Sequence, residues 1–303
     1  MHLEAGISPA PGRPAAIIFI FSGINRGIDV IWKQFRFPYV NWDLQARLSY
    51  LATHARVVSA LVMREMSTRF GAKPGGYLWA LLDPVSHIAF LSIIFMAIAH
   101  MPPLGTSFPL FFATGYIGFQ FYQAMAGYLN SAVSGNKALL SYPNVAPIDT
   151  MAARYMLQFA TTIIVAVFVL GYIIATARHA VVIDVPPLLE AMFAASLIAL
   201  GGGFANSVLF TMYPIYEKLF GIVTRPLFLV SGVFYIPDTL PPIAKDVILF
   251  NPLAHIVMQF RTGFYPQYRA ADYDRFYVWS VAALCIFVGL MLFTTSKARL
   301  RDR

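Results

Sequence analysis

Six runs of mostly apolar residues recur along the chain, over 77–99, 108–129, 151–177, 188–212, 219–236 and 276–295. A run of about twenty such residues, rising 1.5 Å per residue as an α-helix, crosses the hydrocarbon layer of a bilayer. A seventh run, 243–260, carries Lys245 and Asp246 near its start and is interrupted by Asn251-Pro252. Charge placement decides how it lies. With six crossings and a cytoplasmic N-terminus, 17 of the 22 Lys and Arg residues fall on the inner side. Arg178, Lys245, Arg261, Arg269 and Arg275 fall outside, as the inner-side preference of Lys and Arg allows. A seventh crossing would put the basic tail KARLRDR outside, against that rule. Residues 237–265 are therefore expected to form two short helices that enter the outer face and return. Irregular backbone at that depth must be covered by protein or face a wet cavity.

Before the first run, Leu48, Leu51, Ala55, Val58 and Val62 fall at steps of three and four, so they share one helical face. Arg47, Arg56, Arg64 and Arg69 surround it. Such a helix lies in the interface plane, with apolar side chains in the acyl boundary and charges among headgroups. A soluble helix packed on a partner is the alternative. Lys73-Pro74-Gly75-Gly76 supplies the turn into the first span. The chain thus divides into a cytoplasmic, partly disordered extension (1–45), an amphipathic helix (46–72) and a membrane domain (73–303). The apolar stretch AAIIFIF in the extension is too short to span.

Composition agrees with the pattern. Of the 303 residues, 58% are hydrophobic and 12% charged, about half the charged share of a soluble domain. The net charge of +8 sits beside apolar spans, which points to membrane orientation and away from nucleic acid. The lone Cys285 excludes an intrachain disulfide and reads as a small buried hydrophobe.

Little in the chain can do chemistry unaided. No phosphate-cradling GxxxxGK[ST] loop is present, and no two histidines stand at a metal-binding spacing. Asp272 and Asp274 form a close carboxylate pair that reads as solvated loop charge. Asp83 and His87, four apart, share one face of the first span; they form either a functional intramembrane pair or a local structural one. In the fourth span Ala195, Ala199, Gly203 and Ser207 give a small-residue stripe, which allows close helix approach within the subunit or between subunits. The triple glycine 201–203 predicts a bend. Tyr116, Phe119 and Tyr122 lie along one side of the second span, and Phe228, Phe234 and Tyr235 in the fifth. Such rings anchor at interfaces or suit sugar faces. Between spans two and three, a short helix over 136–141 precedes Pro143 and Pro147, with Asp149 as the expected N-cap of the third span. A short, exposed helix with few charges can dock a partner protein.

Five segments together carry a resemblance: REMSTRFGAKPGGYLWALLDP (64–84), SFPLFFATGYIGFQFY (107–122), NKALLSYPNVAPIDTMAARY (136–155), RPLFLVSGVFYIPDTLP (225–241) and NPLAHIVMQFRTGFYPQY (251–268). Over about 55–300 the chain resembles the permease subunits of ABC-2-type exporters, in particular those that export capsule polysaccharide from Gram-negative bacteria. The N-terminal extension departs from the typical member. The resemblance implies an all-α integral membrane fold with six transmembrane helices, an N-terminal interface helix and a re-entrant helical hairpin between spans five and six, the type V exporter fold. It implies a location in the bacterial inner membrane with both termini cytoplasmic. Two copies would pair, and two ATP-binding-cassette ATPase subunits would bind beneath them. ATP and magnesium would be held by those partners, leaving this chain without a cofactor, metal or catalytic residue. Asn136, Lys137, Ala138, Leu139, Leu140, Ser141, Tyr142, Pro143, Pro147 and Ile148 would form the ATPase-coupling segment. Arg56, Arg64, Glu65 and Arg69 belong to the interface helix. Tyr116, Phe119, Tyr122, Arg225, Phe234, Tyr235 and Arg261 are the pore or substrate candidates, with Lys245 beside them. The cargo would be a lipid-linked acidic polysaccharide, passed on to a periplasmic co-polymerase-type protein and an outer-membrane polysaccharide channel. Export of O-antigen, teichoic acid or a small molecule is the first alternative. A membrane-embedded glycosyl or acyl transferase is the second.

Overall fold

Glycine and proline punctuation sets the ends of the helices. The computed structural model describes residues 44–71, 75–142, 145–177 and 179–296, which are helical with short connections. The chain divides into two units, 1–51 and 52–303. The first holds the opening turns of the first helix, and the second holds every element after them. The extension 1–43, Lys73-Pro74, Pro143, Arg178 and the basic tail 297–303 lie outside the described residues.

Helix α1 (Leu44–Met66) continues into a wider turn over Ser67–Gly71. Gly75 and Gly76 then turn the chain with φ of 85° and 28°. A Cβ on Gly76 would stand 2.6 Å from the Phe70 carbonyl oxygen, so only glycine fits. Helix α2 (Gly76–Ile98) follows, then α3 (Phe108–Asn130), whose first turn is capped by the Ser107 hydroxyl accepting from Leu110 N–H. A turn over Ser134–Asn136 and the single-turn α4 (Lys137–Leu140) lead to α5 (Pro147–Ala175) and α6 (Val185–Met212).

Among the described residues four helices are long and apolar enough to cross a membrane: α2, α5, α6 and the last, α11 (Arg275–Thr295). α2 exposes Phe90, Ile93 and Ile98; α11 exposes Phe276, Leu284 and Phe287. Helix α3, the expected second span, is the hub. It packs against α2, α5, α6 and α10 and is buried over most of its length. Its glycines at 115 and 118 are buried, and Gln120 is half-buried among its neighbours.

The expected fifth span over 219–236 is broken. Helix α7 (Pro214–Thr224) ends before Arg225-Pro226, α8 (Leu227–Val230) adds one turn, and Gly232 at φ 73° reverses the chain. Pro226 lacks an N–H and disfavours helix at the residue before it. Two short helices follow as expected, α9 (Pro242–Leu249) and α10 (Pro252–Thr262). Asn251 caps α10 by accepting from Leu253 N–H at 3.0 Å, and Pro252 occupies its first turn. Helix α9 is largely exposed, whereas Leu253 to Met258 of α10 are buried against α3, α6 and α11.

The small-residue stripe of α6 is packed within the chain: Ala195, Ala199, Gly203 and Ser207 are all buried, with Gly203 against Leu129 of α3. A Cβ on Gly289 of α11 would stand 2.1 Å from the Gly201 oxygen. The triple glycine therefore lets two backbones touch, and α6 runs through it without a break.

Candidate functional site: the junction of α1, α4 and α5

The predicted interface helix and the predicted docking segment meet at Glu65. Among the described side chains of α1 the buried positions are Leu61 and Glu65, one turn apart. Ala55 is exposed and Val58 and Val62 are half-buried, so the inward face is offset from the stripe read in the sequence. The Leu48 and Leu51 side chains lie outside the described residues.

Glu65 is 6% exposed and accepts three hydrogen bonds from three other segments. Arg154 Nε of α5 donates to Oε1 at 2.9 Å. Asn136 Nδ2, at the start of the docking segment, donates to the same oxygen at 2.7 Å. The Tyr128 hydroxyl, from the end of α3, donates to Oε2 at 2.6 Å. Arg154, 7% exposed, also donates from Nη1 to the Tyr128 carbonyl at 3.1 Å and to Ser131 Oγ at 2.9 Å. Arg64 Nη1 closes the circuit on Asn136 Oδ1 at 2.8 Å. The guanidinium carbons of Arg69 and Arg154 stand 4.4 and 4.6 Å from the centre of the Tyr128 ring. Gly135 makes room: a Cβ there would stand 2.6 Å from Arg154 Nη2.

A second link lies beside the first. His54 Nδ1 of α1 is 2.9 Å from Asp149 Oδ1, and Asp149 Oδ2 accepts from Ala146 N–H at 2.9 Å. Asp149 thus sits in the first turn of α5, with Pro147 opening the helix, and not at the N-cap position expected of it.

Burial pushes the Glu65 carboxyl pKa up. The hydrogen bonds from Tyr128, Asn136 and Arg154, with the Arg154 charge, outweigh it and hold the group below its ordinary value. Burial lowers the Arg69 guanidinium, whose Nη1 donates to Gln158 Oε1. A buried, satisfied ion pair such as Glu65–Arg154 adds little net stability but is costly to break.

The docking segment divides by direction. Asn136, Leu140 and Pro147 point inward and are buried; Lys137, Ala138, Ser141, Tyr142 and Ile148 are exposed, and Leu139 is half-buried. Tyr142 is 61% exposed. Arg56 and Arg64 are exposed on α1.

The pore candidates scatter. Tyr116 and Phe119 are buried in the core of this one chain, against Phe228 at ring separations of 5.9 and 5.4 Å. Tyr122, Phe234 and Tyr235 are half-buried, and Arg225 is exposed. Arg261 corrects an expectation. Its guanidinium is fully buried and donates to the carbonyls of Gly232, Val233 and Tyr235 at 2.7, 2.8 and 2.9 Å. It clamps the loop after α8 and offers no charge to a cargo. Lys245 is likewise paired, with Asp272, and Asp274 caps α11 by accepting from Tyr277 N–H at 2.9 Å. The carboxylate pair is thereby occupied.

Arg154 and Tyr128 are functional candidates that the sequence pattern did not single out. The only signal for Arg154 is a lone charge at the head of an apolar run.

A protein-family model for ABC-2 type transporters matches residues 56–265. The chain is 32% identical over 243 residues to the polysialic acid transport protein KpsM of Escherichia coli, covering 79% of this chain and 93% of that protein. It is 29% identical to the capsule polysaccharide export inner-membrane protein CtrC of Neisseria meningitidis serogroup B, over 71% of this chain and 81% of the relative. With the capsule polysaccharide export inner-membrane protein BexB of Haemophilus influenzae it shares 26% identity at the same coverage.

Proposed function

The chain belongs to the ABC-2 type transporter family, and from that premise we propose that it is the permease subunit of an ATP-driven exporter that moves lipid-linked capsular polysaccharide across the bacterial inner membrane. One observation carries the reading of the cargo: the likeness to a polysialic acid transport protein runs over 93% of that protein's length.

Physical chemistry explains why such a cargo needs this kind of protein. A hydrated polyanion cannot enter hydrocarbon, because taking each charge out of water costs several kcal/mol or more. A wet path between two copies of the chain avoids that cost. The path would be lined from residues left accessible at the α7–α8 end, with Arg225, Phe234 and Tyr235 the best placed. Helices α9 and α10 would form the re-entrant hairpin at the outer mouth, giving six crossings in all when α3 and the α7–α8 segment are counted, with both termini cytoplasmic. A periplasmic co-polymerase-type protein and an outer-membrane channel would extend the route.

The motor is proposed to be two separate ATPase subunits, which bind ATP and magnesium and dock on the exposed side of 137–148. A push on α4 reaches Asn136, then Glu65 and the interface helix, and through Arg154 the base of α5. The Glu65 junction supports this route, because it ties Asn136 of the docking segment to α1 and α5 by side-chain hydrogen bonds.

Deleting the gene tests the reading. Polymer should accumulate inside the cell and vanish from the surface, and the wild-type chain supplied in trans should restore it. Unchanged surface polymer in the deletion strain would overturn the assignment, and trapped material of another chemistry would redirect it to O-antigen, teichoic acid or a small molecule. Turnover of lipid-linked sugar by the purified chain alone would support a transferase instead.

A further inference from the structure

A cavity of about 320 Å3 lies between the end of α1 and helices α2, α3 and α5. Two hydrogen-bonded chains reach it. In one, Arg69 donates to Gln158, whose Nε2 donates to Thr162 Oγ1 at 3.0 Å. In the other, Gln120 Nε2 donates to the Tyr116 hydroxyl at 2.7 Å, which donates to Asp83 Oδ2 at 3.2 Å. Gln158 and Thr162 are buried, so this polar wall is built into the fold. Among the described residues Arg69 has no carboxylate within ion-pair distance, because Glu65 is taken by Arg154. Among the described residues the ion-pair partner of Asp83 is the exposed His87, at 3.5 Å. Beside these groups Trp79 lines the same cavity, and it belongs to the exposed apolar face that α2 presents with Leu78 and Leu82.

One cavity therefore offers a cation, a carboxylate, amide groups and an adjoining apolar track. The complement is a ligand with a phosphate, a neighbouring hydrogen-bond donor and an acyl chain. We propose that this cavity binds the headgroup of a glycerophospholipid, its phosphate on Arg69 and its amine or hydroxyl substituent on Asp83. The inference rests on the exporter reading only in placing α1 at the inner membrane surface. A resident membrane phospholipid and the lipid anchor of the cargo share this chemistry.

Native mass spectrometry of the purified full-length chain, supplied with phosphatidylethanolamine or phosphatidylglycerol, tests it. The wild type should retain lipid. Arg69→Gln should weaken retention of both lipids by about tenfold, the worth of one charge-assisted contact. Asp83→Asn should weaken phosphatidylethanolamine selectively. Arg69 also touches the Glu65 junction, so Ala124→Leu, which fills the cavity from α3 away from the junction, serves as the independent variant and should weaken both. Equal retention by the wild type and all three variants would overturn the proposal. Chain purified from cells with and without polymer synthesis separates the sources. An unmodified lipid mass in both marks a resident lipid, and a sugar-bearing mass only in polymer-making cells marks the cargo's anchor; either supports the site. Surface polymer, measured separately, shows whether the exporter reading itself stands.

Discussion

Two arginines are buried among the described residues, and the fold holds them in opposite ways. Arg154 meets a counter-charge, Glu65, on a helix 89 residues away in sequence, with Tyr128 and Asn136 completing the set. Arg261 meets no carboxylate there; three backbone carbonyls of a single loop accept hydrogen bonds from its guanidinium. The first arrangement joins four segments through side chains that can part and re-form. The second fastens a loop whose backbone would otherwise have unsatisfied acceptors. A junction that transmits motion wants the first design, and a fixed wall wants the second.

The largest effect should come from breaking the junction on one side. Glu65→Ala or Arg154→Ala leaves a buried charge alone and should cost about 3–5 kcal/mol, read as a loss of thermal stability in detergent. The exchange Glu65→Arg with Arg154→Glu should recover part of that loss. Arg261 has no carboxylate with which such an exchange could be made.

Arg261→Lys comes next. A lysine keeps the charge but lacks the planar fork that reaches three carbonyls, and an unsatisfied buried acceptor costs about 1–3 kcal/mol. Faster proteolysis within 226–240, with α1 unaffected, is the expected pattern. If α1 loosened as well, the two sites would not be independent.

Acid should separate the sites by sign. The Glu65 carboxyl is held below its ordinary value of 4.5. Its contribution is present above that value and is lost as pH falls through the lowered pKa. Unfolding temperature compared between wild type and Glu65→Gln should converge on acidification. The Arg261→Lys difference should persist through the same window.

Lys245→Ala supplies the baseline. Its pair with Asp272 is partly exposed, and surface pairs of this kind add little to stability. A larger loss would show that the α9 end is more than a surface contact.

Much of the helical layout was legible because its punctuation is local. Gly75-Gly76 and Asn251-Pro252 mark helix starts through local turn and capping chemistry, whereas Asp274 read as loop charge and proves to be a cap. What was not legible depends on distant partners. Arg154 reads as one more inner-side charge until α1 folds against α5. The aromatic stripe of Tyr116 and Phe119 reads equally well as a pore wall or as core; burial against Phe228 shows core in this chain. Arg261 looked like a cargo contact because periodicity cannot reveal that three carbonyls already surround it. Helix α1 was recognised, but its inward face was not, because Glu65 is a charged residue on the buried side.

The central claim is that the exposed side of 137–148 is where a separate motor engages. A photo-crosslinking residue at position 142, where the Tyr142 side chain stands free of the core, tests it in intact cells. The account predicts an adduct between this chain and an ATP-hydrolysing subunit. Labelling of that position by a membrane-impermeant reagent from outside, with no such adduct, would contradict it.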